Sequence, residues 1–101
     1  MPTQHARNHT AARAFGLKAI AEGVAADIEQ RFERDNPHLH VRMRGYHGKH
    51  TGRVWWVACW QADGIIRTAR VDLTAEQLGS EGVVEVASFV HRRVTADIEA
   101  G

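Results

Sequence analysis

Asp63-Gly64 restricts the fold more than any other feature, because it joins two long runs rich in Val, Ile, Trp and Thr, namely Arg53 to Gln61 and Ile65 to Leu73. Asp-Gly is the signature of a two-residue type I′ turn, whose central residues both need positive φ. Such a turn sets the register of the hairpin. With Ala62 opposite Ile65, Trp60 faces Arg67, Ala58 faces Ala69, Trp56 faces Val71 and Val54 faces Leu73, all on one side. That apolar side is the expected core. The other side carries Arg53, Trp55, Val57, Cys59 and Gln61 beside Ile66, Thr68, Arg70 and Asp72.

A third strand is predicted before this hairpin. His38 to Arg44 alternates, placing Leu39, Val41 and Met43 inward and His38, His40, Arg42 and Arg44 outward, and Gly45 to Gly52 reads as a basic hairpin loop. From about Thr10 to Arg34, Leu17, Ile20, Ala21, Val24, Ile28 and Phe32 recur at helical spacing, and Asn36-Pro37 ends the run. Thr74-Ala-Glu-Gln77 is a capping-box pattern. Gly79 and Gly82 break or kink the helical turn that begins there, and Val83, Val86, Ala87, Val90, Val94 and Ile98 form a second helical stripe from Ser80 onward.

The expected fold is α+β, in the order α-β-β-β-α, with both helices packed on one face of a three-stranded antiparallel sheet. The expected core is Leu17, Ile20, Val24, Ile28, Leu39, Val41, Met43, Trp56, Val71, Val86 and Val90. At 101 residues the chain suits a single domain, 1–101, with 1–9 as a flexible tail. The apolar run Val54 to Trp60 is too short to span a bilayer, and a lone cysteine, Cys59, fits a reducing compartment. The expectation is a cytoplasmic protein without a membrane partner.

Net charge is only +1, yet no acidic residue lies between Asp35 and Asp63. Arg42, Arg44, Lys49 and Arg53 occupy that interval with His38, His40, His47 and His50 among them. Arginine outnumbers lysine 11 to 2, which suits bidentate contacts to phosphate or carboxylate.

The order α-β-β-β-α resembles the double-stranded-RNA-binding domain, and a three-stranded sheet followed by a helix resembles sheet-reading DNA-binding domains of the AP2 and recombinase arm-binding kinds. The first resemblance implies basic residues opening the last helix. Here Thr74 to Gly82 contains Glu76 and Glu81 instead. The second implies Arg and Trp side chains projecting from the sheet, to which Arg42, Arg44, Trp55 and Arg70 correspond.

Trp55 asks for an explanation, since Trp56 and Trp60 already serve the core side. Among arginines it can stack on a base or a guanidinium plane, and with Val57, Cys59 and Ile66 it can form an apolar patch. A one-residue slip of register would exchange it with Trp56. His38, His40, His47 and His50 are candidate metal ligands by spacing alone, and no carboxylate lies nearby in sequence to orient them. No metal and no cofactor is expected. No catalytic motif is present, and Cys59 in mid-strand reads as a packing residue, so an enzyme is not expected.

Two function classes remain. The favoured one is a nucleic-acid-binding module using His40, Arg42, Arg44, Lys49, Arg53, Trp55 and Arg70. The other is a protein-binding adaptor or inhibitor, regulatory or an accessory of a phage or mobile element, using the same sheet face with homodimerisation as an option.

Overall fold

The computed structural model describes residues 3–74, 77 and 82–101, with the backbone alone for 3–15. Its elements are α1 (Thr3–Asp35), β1 (Arg42–His47), β2 (Arg53–Ala62), β3 (Ile65–Thr74) and α2 (Val83–Ala100), in the expected order. The sheet is antiparallel with strand order β1-β2-β3, and both helices pack on the same apolar face.

The β2–β3 hairpin has the expected register, from Ala62↔Ile65 through Arg53↔Thr74 without interruption. Asp63 and Gly64 both have positive φ, 53° and 77°. Trp56 is therefore buried and Trp55 is on the opposite face, half-buried.

β1 begins later than the alternating pattern predicts. Pro37, whose ring presets φ, opens a 3-10 turn over Pro37–Leu39, and His40 closes it in the left-handed conformation at φ 50°. This reversal turns the chain back along α1. His38 and His40 consequently lie before the sheet, exposed, and do not belong to a strand. Leu39 is partly buried, while Val41 and Met43 enter the core as expected. At its other end β1 continues through Gly45 and Tyr46 to His47, taking up part of the predicted loop.

α1 starts at Thr3, well before its apolar stripe, and buries Leu17, Ala21, Val24, Ala25, Ile28 and Phe32. Its closest approach to the sheet is at Gly45, where an added Cβ would overlap the Ala21 carbonyl, so only glycine fits. Next to Gly45, Trp56 donates its indole N–H to that same carbonyl oxygen at 2.9 Å. One helix position thus receives both a bare backbone and a polar anchor.

Every other expected core residue is buried except Ile20, which is partly so. α2 contributes Val86, Ala87, Val90 and Val94, whereas Val83 and Val84 in its first turn are exposed. The capping box forms in part of its predicted span: Gln77 N–H donates to Thr74 Oγ1 at 3.3 Å and Thr74 N–H to Gln77 Oε1 at 2.8 Å. Glu76, Gly79, Ser80 and Glu81 lie outside the described residues. No helix among the described residues is long and apolar enough to cross a membrane.

Candidate functional site

Because both helices lie under one face, nothing among the described residues covers the other face of the sheet. Its side chains stand in cross-strand rows dictated by the register: Arg42–Cys59–Thr68, then Arg44–Val57–Arg70, then Tyr46–Trp55–Asp72, with Arg53 and Thr74 at the end. Three of the expected site residues, Arg44, Trp55 and Arg70, share the middle of this surface.

Trp55 is the centre of the cluster. Tyr46 reaches it from β1 and stacks with ring centroids 5.6 Å apart and planes within 14° of parallel. From β3, the Arg70 guanidinium lies 5.1 Å from the Trp55 ring centroid, within cation–π range. Arg70 is held there by a fork onto Asp72, Nε to Oδ1 at 2.7 Å and Nη2 to Oδ2 at 3.1 Å. That hydrogen bonding holds the Asp72 carboxyl below its ordinary value and raises Arg70. The outcome is a stack, Arg70–Trp55–Tyr46, running across all three strands.

Tyr46 is absent from the sequence-based site because Gly45 reads as the start of a loop. The signal was present in the alternation Arg42, Arg44, Tyr46, which continues through a glycine that α1 requires for its close approach.

The positive charge differs from expectation in one respect. Arg42 bends round the β1 edge to pair with Glu29 at 3.3 Å, so an acid from α1 offsets it. Among the described residues, Arg44, Lys49 and Arg53 make no ion pair. Arg44 and Arg53 flank the aromatic stack along the strands, and Lys49 is exposed in the β1–β2 loop.

The histidines do not form a set. His38 and His40 are in the turn after α1, His50 is exposed in the loop, and His47 pairs with Val54 on the helix side of the sheet. There it lines a shallow notch of about 180 Å³ with Lys18, Glu22 and Gly45. Among the described residues, no three His, Cys, Asp or Glu side chains come close enough to hold a metal ion. His40, expected on the basic face, instead borders a separate notch of about 230 Å³ beside Glu29 and Glu33. Arg42, paired with Glu29, lines the same notch.

The far end of the open face is apolar. Val57 and Cys59 are half-buried and Ile66 beside the turn is 69% exposed, while Ile65, 57% exposed, lies on the helix side of the sheet. Comparison with known proteins finds no matching family model, no matching curated protein and no matching solved structure.

Proposed function

We propose that the uncovered sheet face binds single-stranded nucleic acid, with a base extending the Arg70–Trp55–Tyr46 stack and phosphates lying on Arg44, Arg53 and Lys49. The observation that carries this reading is the stack itself. Tyr46 forms its β1 end and is 40% exposed, so a planar ring can add there. A base inside a duplex is already sandwiched by its neighbours, which is why such a surface suits unpaired strands. Trp55 and Arg70 are fixed before binding by Tyr46 and Asp72, which lowers the entropy lost on association. Arg44, Lys49 and Arg53, none of them in an ion pair among the described residues, lie around the stack and supply the sequence-independent part of the affinity.

The test is a titration of short single-stranded DNA and RNA oligonucleotides into the protein at about 50 mM salt, where phosphate contacts are strongest. Quenching of tryptophan fluorescence is expected, with weaker binding to duplex of the same length. Tyr46→Ala should weaken single-strand binding by about 1–3 kcal/mol. No binding to either form at low salt and pH 6 rejects the reading and turns attention to a protein partner on the same face, with Val57 and Ile66 among its apolar contacts.

A further inference from the structure

The two edges of the sheet are unlike. In a two-residue hairpin the residues flanking the turn exchange hydrogen bonds, so Ala62 and Ile65 form such a pair and the ladder alternates from there. On β3 the main-chain groups of Ile65, Arg67, Ala69, Val71 and Leu73 point to β2. Those of Ile66, Thr68, Arg70, Asp72 and Thr74 point to the open edge. Carried across β2, the same alternation leaves Met43, Gly45 and His47 pointing outward from β1.

The β1 edge is closed. α1 packs along it, the Gly45 backbone lies against Ala21, and the Glu29 carboxylate accepts the outward N–H of Met43 at 2.9 Å. Among the described residues the β3 edge has no such guard. It runs for ten residues in unbroken register, without proline, lysine or bulge, and among the described residues only Thr74 at its end has its outward N–H taken, by Gln77. Among the described residues nothing accepts from the N–H groups of Ile66, Thr68, Arg70 or Asp72. A flat edge of this kind is a template for another strand.

We propose that two copies of this chain join through their β3 edges, antiparallel, with Val71 on the two-fold axis and Arg70 of each copy opposite Asp72 of the other. Charge selects this register. With Arg70 on the axis, two guanidinium groups would face each other. With Ala69 on the axis, Asp72 would face Ile66 and Arg70 would face Thr68. Only the Val71 axis sets opposite charges against each other in both halves, and it brings together residues whose main-chain groups point outward.

α2 runs beside the same strand. Its C-terminal neighbour, Gly101, lies beside Arg67, so α2 runs back along β3 and its first turn lies toward the Thr74 end. Val83 and Val84 in that turn are 55% and 71% exposed. The resulting six-stranded sheet would carry two Trp55 stacks on one continuous outer face. Dimerisation of this kind depends on β3 and not on the nucleic-acid reading.

Sedimentation equilibrium of the intact chain, without nucleic acid, tests the proposal. The mass is expected to rise with concentration from 11.3 kDa toward twice that value. Arg70→Asp and Asp72→Arg should each weaken association about tenfold, since each sets like charges opposite one another twice, and the double exchange should restore it. Amide exchange on the wild type needs no variant to fold: the Arg70 and Asp72 amides should slow as concentration rises, while Ile66, beyond the paired segment, should not. A chain that stays at 11.3 kDa up to about millimolar concentration overturns the proposal. So does a dimer indifferent to both single exchanges, or concentration-independent exchange at Arg70 and Asp72.

Discussion

The indole N–H of Trp56 lies 2.9 Å from the carbonyl oxygen of Ala21, a residue 35 positions earlier, and Gly45 fills the narrow space beside this contact. The same bond fixes how close α1 can sit and which tryptophan of the Trp55-Trp56 pair is structural. Trp56→Ala is expected to cost about 3–5 kcal/mol, and Trp56→Phe about 1 kcal/mol from the hydrogen bond alone plus the smaller ring. Gly45→Ala should cost at least about 1–3 kcal/mol, because the group in the way is helix backbone and cannot rotate aside. Urea melts of the three variants check the ranking.

On the opposite face the cost should be smaller. Trp55→Ala forfeits a stacking contact with Tyr46 and a cation–π contact with Arg70, together worth about 1–2 kcal/mol on a half-exposed surface. If Trp55→Ala proves more destabilising than Trp56→Ala in the same melts, the assignment of faces is wrong.

Salt dependence separates Arg42, which is ion-paired with Glu29, from the other cations of the face. With Arg44, Lys49 and Arg53 on phosphates, the log–log slope for a single strand should be about −2, roughly a 20-fold loss of affinity between 50 and 200 mM salt. Arg44→Ala or Arg53→Ala should flatten the slope by about 0.7 each. Arg42→Ala, whose charge is offset by Glu29, should change it much less. Equal effects at all three positions would contradict the role given to Glu29.

His91 links stability to pH. It packs between the helices, stacked on Phe32 at 4.9 Å, and burial lowers its pKa from 6.5 with help from Arg31, against weaker opposing pulls from Asp35 and Asp27. The unfolded chain therefore binds a proton at a pH where the folded chain does not, so stability is full above about 6.5 and falls as the medium is acidified. The melting temperature should drop between about pH 7.5 and pH 5.5, and His91→Phe should reduce that drop. An unchanged pH profile in the variant would show that His91 titrates normally.

The hairpin and both helical stripes are legible in the sequence because each rests on local chemistry: a turn that admits one register, and apolar spacing that admits one face. The start of β1 is not legible. His38 to Arg44 alternates as a strand does, but the chain must first reverse after α1, and the Pro37 turn with His40 in the left-handed region uses up the first of those residues. The candidate site is readable as far as Arg44, Trp55 and Arg70 share a face. Tyr46 and the engagement of Arg42 by Glu29 are not, since both depend on where α1 lies against β1, a contact between residues far apart in sequence.

That same distance bears on how the molecule assembles. The Asp63-Gly64 turn closes a loop of two residues, whereas docking Trp56 on Ala21 closes one of 35, and the entropy lost grows with the logarithm of loop length. The hairpin can therefore form on its own timescale of microseconds, ahead of the helix that will cover it. Gly64→Ala, which strains a residue at φ 77°, is expected to slow folding, while Trp56→Phe should act mainly by hastening unfolding. A chain built this way would expose its aromatic core strand briefly in every folding attempt, until α1 closes over Gly45.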